Sequence, residues 1–324
     1  MDMKRGPQVL VIGGLGFIGL NLVRPLLASG ARVRILNRSV DPQARTWLDR
    51  LAEGHPITVC HGELSETTRL EEWLEDIDAI VNLAGESGAE RSVRESITDM
   101  HSNVASQLTL LDKLREMGRS PVLVFASSRL VYGVTRAECV DESRLPRPTS
   151  VYGVHKLTVE HYHRLYWELH GIPSVILRLT NPYGPYQLPR RRHYGILNRF
   201  VMAALRGESI KLYGDGVQLR DYVHVDDVAD AVLKALHNSG AVGETFNIGS
   251  GASVALGEVA RRVVALAGSG TVESAPWPEG ARKVETGDFR CDIRHARERL
   301  GWSPTVDLDA GLLRTISSYR ELIH

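Results

Sequence analysis

Val9-Leu10-Val11-Ile12 runs without a spacer into Gly13-Gly14-Leu15-Gly16-Phe17-Ile18-Gly19, and this junction constrains the fold more than any other stretch. The four apolar residues read as a buried strand. A helix is expected from about Phe17 to Ser29, with Ile18, Leu22, Leu26 and Leu27 on its apolar face and Gly30 at its end. Val33 to Leu36 reads as a second strand. Strand, glycine turn, helix, strand is the setting that a dinucleotide-binding glycine motif requires. The glycines permit a tight turn and let a pyrophosphate approach the backbone. There the free N–H groups and the dipole of the helix N-terminus favour anions.

The alternation continues. Strands are expected at Ile57–His61, Ala79–Ala84, Val122–Ala126 and Ser174–Leu179. Helices are expected between them at Pro42–Glu53, Thr67–Glu75, Ser92–Met117 and Val151–His170. Repeated βα units imply an α/β fold with a doubly wound parallel sheet. The ligand site of such a sheet lies at the carboxyl ends of its strands. Gly13, Asn37, Ala84, Ser127 and Ser128 would then face one crevice. Past Leu179 the texture changes to a connection rich in proline and glycine, 181–189, followed by Arg190-Arg191-Arg192. Residues 1–180 therefore read as a dinucleotide-binding domain and 181–324 as a smaller α/β substrate lobe. Helices are expected there at Asn198–Arg206, Val225–His237, Leu256–Ala267 and Leu308–Arg320.

Composition narrows the function classes. Lys plus Arg and Asp plus Glu both number 39, so the formal net charge is zero. Nothing in that balance recommends a nucleic acid or an anionic membrane surface as partner. Cys60, Cys139 and Cys291 are isolated, make no metal-ligand spacing and fit a reducing compartment. No apolar run approaches the length of a membrane span, and the apolar run at Val9–Ile12 is too short for a signal peptide, so the cytoplasm is the expected location.

Tyr152 and Lys156 stand four residues apart, which on a helix turns both to one face. A phenol titrates near pH ~10 and is a poor base at neutrality. A cation at ~4 Å, at an effective dielectric of ~20, favours the phenolate by ~4 kcal/mol. That is roughly three pKa units, enough to bring a tyrosine into the working range of a general acid or base. The spacing alone is common in helices and decides nothing without the glycine turn. A base, its cationic tuner and a hydroxyl donor are what hydride transfer at a carbinol carbon needs.

With these features placed, the chain resembles the extended short-chain dehydrogenase/reductases, and more narrowly the nucleotide-sugar epimerase/dehydratase group. Several stretches carry the resemblance: the glycine turn, Asn82-Leu83-Ala84-Gly85-Glu86, Phe125-Ala126-Ser127-Ser128-Arg129-Leu130-Val131-Tyr132-Gly133, and Tyr152 to Lys156. Arg178 to Pro185, Tyr213-Gly214-Asp215-Gly216, Arg220 to Val228, Phe246-Asn247-Ile248-Gly249 and Leu300-Gly301-Trp302-Ser303-Pro304 extend it over nearly the whole length.

The resemblance implies that Tyr152 carries the proton at a sugar hydroxyl or ketone. Lys156 would hold the nicotinamide ribose and tune the tyrosine, and Ser128 would bond the reacting sugar oxygen. The cofactor would be NAD or NADP, lying along Gly13, Gly16, Phe17, Ile18, Gly19, Asn37, Arg38, Glu63, Leu64 and Ala84 beside Tyr152 and Lys156. The substrate would be a nucleotide-diphosphate sugar held by Glu86, Ser128, Asn181 and Arg220, since its phosphates want arginine. Any of Arg190, Arg191 and Arg192 could join them. Phe200 and Tyr213 either border the base or pack in the core. The family also implies a homodimer through the helices of 92–117 and 151–170, and a return of residues 221–250 to the nucleotide domain.

Three departures narrow this. The second strand ends in Leu36-Asn37-Arg38, where an NAD-type pattern has an acid for the ribose hydroxyls. The change favours NADP, while Asn37 can still serve NAD. Arg129 and Leu130 occupy the two positions where related dehydratases carry an acidic pair for elimination, so dehydration loses its base. Glu285 occupies a place where many members have an arginine. The reading that results is an epimerase acting at carbon 4 through a transient keto sugar. The alternative is an NADPH-dependent 4-ketoreductase of a nucleotide deoxysugar.

Overall fold

In the computed structural model, which describes residues 6–86, 88–135, 139–188 and 195–323, the apolar run at the start of the chain forms strand β1, Gln8–Ile12, buried along its whole length. The chain then alternates. Helix α1 is Phe17–Ala28, β2 is Arg32–Asn37, α2 is Pro42–Ala52, β3 is Thr58–His61, α3 is Thr67–Leu74 and β4 is Ala79–Asn82. Among the described residues the central sheet has seven strands, including β5, Val122–Ser128, β6, Ser174–Leu179, and β7, Thr245–Ile248. All neighbours are parallel, in the order β7-β6-β5-β4-β1-β2-β3.

This order dictates where a ligand can enter. The chain runs from β1 outward through β2 and β3, then returns to the other side of β1 as β4. The winding reverses between β1 and β4, so their connections diverge and leave a crevice at the strands' carboxyl ends. Each face of the sheet carries its own core. Leu20, Leu22, Val23 and Leu26 of α1 and Trp47 of α2 pack on one face. Leu70 and Trp73 of α3, with Leu110, Leu111 and Leu114, pack on the other. A separate core gathers Leu197, Phe200 and Val201, Val259 and Val263, and Leu312 and Ile316.

One expected element is broken. The stretch 92–117 reads as a single helix by periodicity, but the chain folds it in pieces: α4, Ala89–Arg94, α5, Ser96–Met100, a wider π-helical turn at His101–Ala105, and α6, Ser106–Glu116. The π turn packs an extra residue into the coil, a device frequent at functional sites. Here it brings His101, Ser102, Ala105 and Ser106 to the crevice wall. No proline or glycine marks the break. The next helix, α7, spans Val151–His170 as its periodicity predicts, and α8 spans Ile196–Leu205. Among the described residues no helix is long and apolar enough to cross a membrane. Arg190, Arg191 and Arg192 lie outside the described residues.

Candidate active site

A cavity of about 820 Å³ opens at the carboxyl edge of the sheet. Its floor is the glycine turn. Gly13 sits at φ +80°, a region that side chains rarely adopt, and a Cβ there would stand 3.2 Å from the Leu83 carbonyl carbon. At Gly19 a Cβ would lie 2.5 Å from the Gly14 Cα, so this glycine lets the first turn of α1 close on the loop. Gly16 caps α1 with no side-chain acceptor, and the first turn holds no acidic residue. The helix therefore presents uncapped N–H groups and its positive end to the cavity. Gly13, Gly16, Phe17, Ile18 and Gly19 all line it, as do Glu63, Leu64 and Ala84.

Asn37 and Arg38 also line the cavity, but both are already engaged. Asn37 Oδ1 accepts the Leu15 N–H at 3.2 Å and its Nδ2 donates to the Ser39 carbonyl at 2.7 Å. The amide thus pins the glycine loop to the end of β2. Arg38 pairs with Glu86 at 2.5 Å and lies 3.8 Å from Glu63. The second Glu86 oxygen accepts from Arg91 at 2.6 Å.

The opposite end of the cavity holds Ser128, Tyr152 and Lys156. Helix α7 starts sharply there. Ser150 is its N-cap and accepts the Gly153 N–H at 3.1 Å, while Ser92 Oγ accepts the Tyr152 N–H at 2.9 Å. Two otherwise orphaned helical donors are satisfied, and the first turn is fixed against α4. One turn on, Lys156 Nζ donates to the Ala126 carbonyl at 2.9 Å, 4.6 Å from the Phe125 ring centroid and 5.8 Å from that of Tyr152. Burial pushes the Lys156 ammonium down to about 8, and the negative charges of Asp99 and Glu160 oppose the fall. Ser128 Oγ accepts the Leu130 N–H at 3.2 Å.

A polar network beneath this floor separates the two serines. Ser127 Oγ donates to Glu160, which forms a buried pair with Arg178 at 2.7 Å. Arg178 also donates to Tyr132 Oη at 2.9 Å, and Tyr132 donates to Asn247 at 2.7 Å. Both serines line the cavity; the Ser127 hydroxyl is committed to the buried Glu160, while the Ser128 hydroxyl accepts from the backbone of Leu130. Asp99, the other carboxylate acting on Lys156, bonds His155 Nδ1 at 2.6 Å.

Past residue 180 the expected residues divide between the cavity and the interior. Asn181 lines the cavity, with its Nδ2 donating to the Asp221 carbonyl at 2.7 Å. Phe200 does not line it: 4% exposed, it packs among Leu197, Val201 and Leu212 in the separate core. Tyr213 is also absent from the lining and lies against Trp277, with ring centroids 5.6 Å apart. Arg220 is buried outside the lining, paired with Glu285 and donating to the Gly287 carbonyl at 2.6 Å. The guanidinium of Arg129 turns from the cavity to Thr286 Oγ1 at 3.0 Å and to the Phe289 ring. Burial pushes it down to about 9, and Arg220 acts in the same direction. Leu130, its neighbour, does line the cavity.

Sequence reasoning missed Asp99, Glu160 and Arg91. Glu160 stood at the i+4 position from Lys156, a usable signal. Asp99 and Arg91 reach the site only through tertiary packing and gave none.

Three comparisons bear on the site. The model of the NAD dependent epimerase/dehydratase family matches residues 9–249. A UDP-glucose 4-epimerase of Mycolicibacterium smegmatis is 31% identical over 97% of this chain and 98% of its own. Among solved structures, a UDP-glucose 4-epimerase from Thermotoga maritima with UDP-glucose superposes with a TM-score of 0.88 at 29% identity, covering 98% of this chain and 100% of that one. A dTDP-glucose 4,6-dehydratase from Streptomyces venezuelae with NAD bound gives 0.87 at 30% identity, covering 97% of each.

Proposed function

Because the chain belongs to the NAD-dependent epimerase/dehydratase family, and so to an enzyme class that acts on sugar nucleotides, we propose that it is a nucleotide-diphosphate-sugar epimerase inverting carbon 4 with a retained NAD. The dinucleotide fits the residues present. The uncapped N-terminus of α1 offers N–H donors to a pyrophosphate, and the glycines leave the backbone open to it. The turn from Gly13 to Gly19 would hold the phosphates, with Glu63, Leu64 and Ala84 along the adenosine and ribose.

A bound nicotinamide would supply a reversible acceptor for the hydrogen leaving the sugar carbinol carbon with its electron pair. The chain's own residues manage the proton and the geometry. Tyr152 Oη takes the hydroxyl proton as the carbonyl forms and gives it back as the carbonyl is reduced. Lys156 holds a positive charge under the tyrosine ring at neutral pH, which favours the phenolate needed for the first half. Ser128 Oγ steadies the reacting oxygen from the other side. Asn181 contributes an amide on the far wall.

One observation carries epimerisation over dehydration: the residues after Ser128 place Leu130 at the cavity and send the Arg129 guanidinium away from it. Elimination would need a carboxylate at this spot to remove a proton from carbon 5. The ketoreductase alternative rested on Arg38 as a phosphate ligand. Its capture by Glu86 and Glu63 supports NAD, and with it a redox-neutral cycle.

The test has two parts. The nucleotide released on denaturing the purified protein should be NAD. The native protein, given UDP-, dTDP- and GDP-hexoses without added nicotinamide, should invert one of them with no net reduction of cofactor. Stoichiometric consumption of NADPH with a 4-keto sugar nucleotide would contradict the proposal.

A further inference from the structure

In this fold the residue that discriminates NAD from NADP ordinarily stands at the end of the second strand. Here that place holds Asn37, whose amide is spent on Leu15 and Ser39. The next residue, Arg38, is the type of side chain that accommodates a ribose 2′-phosphate. From the sequence the site should thus welcome the phosphate. The structure puts a carboxylate in its way: we infer that Glu86, reaching from beyond β4 to hold Arg38, is the residue that makes this site select NAD over NADP.

The geometry explains how. Strands β2 and β4 flank β1, so an ion pair between residues just past their ends spans the mouth above the glycine turn. Both oxygens of Glu86 are used, one by Arg38 at 2.5 Å and one by Arg91 at 2.6 Å. The Glu86 side chain is only 17% exposed, against 56% for Arg38. Burial works to raise the Glu86 carboxyl, but the hydrogen bonds and charges of Arg38 and Arg91 outweigh it and hold the group below its ordinary value. The carboxylate is therefore ionised at neutral pH. Glu63 adds a second negative charge 3.8 Å from the same guanidinium, and Glu95 a third on Arg91 at 2.9 Å. Two arginines thus face three carboxylates, a local balance of minus one.

A 2′-phosphate brings a further charge of about −1.5 to −2 into this cluster. To bind Arg38 it must share the guanidinium with Glu86 or take it from Glu86, and either way it stands as a dianion beside that carboxylate. Two like charges that close repel, whereas the bare ribose of NAD asks only for acceptors, which Glu63 and Glu86 are. The acid usually supplied by β2 is thus supplied from β4, and acts through the arginine.

This inference rests on the dinucleotide reading above, and the test separates the two. The full chain would be equilibrated with an equimolar excess of NAD and NADP, and the bound nucleotides counted by native mass spectrometry. The wild-type chain should hold mainly NAD. In Glu86→Gln the ratio of bound NADP to bound NAD should rise roughly tenfold, equivalent to ~1.4 kcal/mol. Glu63→Gln, more exposed and further from the guanidinium, should move the ratio the same way but less. Adding Arg38→Met to Glu86→Gln should remove the gain, because the freed guanidinium is what receives the phosphate. A ratio unmoved in both glutamine variants, a gain that survives without Arg38, or a wild-type chain that prefers NADP overturns the inference alone. A wild-type chain that binds neither nucleotide overturns the dinucleotide reading with it.

Discussion

The two walls of the cavity were built by different rules. The sheet wall comes from strand ends and the helix starts next to them: Gly13 to Gly19, Ser128, and Tyr152 to Lys156 each lie within a few residues of a regular element. Their positions follow from local geometry, and sequence order carries them to the crevice. The facing wall, past residue 180, is made by the short strand Asn181–Tyr183, by connections and by one end of α8, and among the described residues expected there Asn181 alone reaches the cavity. The side chains of Phe200, Tyr213 and Arg220 turn instead to a core, a tryptophan and an internal ion pair. A motif tied to a strand end is placed by the sheet. A residue on the small elements outside the central sheet, such as Phe200 in α8, Tyr213 at the end of the strand Ser209–Tyr213 or Arg220 in the strand Leu219–Arg220, is placed by whatever packs on those elements.

If that contrast is real, substitutions on the sheet wall should change chemistry, and those on the second-lobe side should change mainly stability. The largest effect belongs to Tyr152→Phe. Removing the proton carrier should lower kcat by roughly 10²–10⁴-fold while leaving NAD bound, as steady-state rates and nucleotide content would report. Turnover within tenfold of wild type would remove Tyr152 from the mechanism.

The next effect is on the support of the sheet wall. Glu160→Gln leaves Arg178 buried without its counter-charge, and breaking such a pair costs ~3–5 kcal/mol. Chemical denaturation should show the loss, and the alkaline limb of kcat should also shift because Lys156 loses a neighbouring negative charge. A fall in stability of less than ~1 kcal/mol would mean that Arg178 finds another partner.

Asp99→Asn should act on pH dependence more than on fold. The Lys156 cation is lost as pH rises through about 8, so activity that needs it should decline above that pH. Without the Asp99 charge the pKa falls further, and the alkaline limb should move to lower pH. Stability runs the other way. The folded pKa lies below the ordinary ~10.4, so the buried cation costs stability at neutral pH, and that cost fades as pH rises from about 8 towards ~10.4. An alkaline limb of kcat that stays in place in Asp99→Asn would contradict the coupling.

The smallest effect should come from the second-lobe side. Phe200→Leu removes buried ring carbons from a core, a large-to-small change expected to cost on the order of 1–2 kcal/mol in stability. Its KM for the sugar nucleotide should stay within about twofold. A large rise in KM with an unchanged melting temperature would place Phe200 at the substrate after all and break the contrast.

Much of this was legible in advance because the sheet is written locally. The unbroken apolar strands and the glycine turn were enough to read a doubly wound parallel sheet with a crevice at the carboxyl ends of its strands. Helices α7 and Val225–His237 fall where periodicity puts them. What could not be read depends on distance in sequence. Glu86 lies 48 residues from Arg38, and nothing near either residue in the chain announces that the two pair. Asp99 reaches His155 across 56 residues. The break in 92–117 has no proline or glycine to announce it, since a π turn is formed by packing rather than by composition.

The central claim is that hydrogen leaves and returns to the same sugar carbon in one binding event. It is tested most directly by a nucleotide hexose deuterated at carbon 4, mixed with unlabelled substrate and converted without added nicotinamide. The account predicts an inverted product that keeps its deuterium at carbon 4, with no exchange between labelled and unlabelled molecules. Loss of the deuterium to free cofactor, or a product formed only while NADPH is consumed, would contradict it.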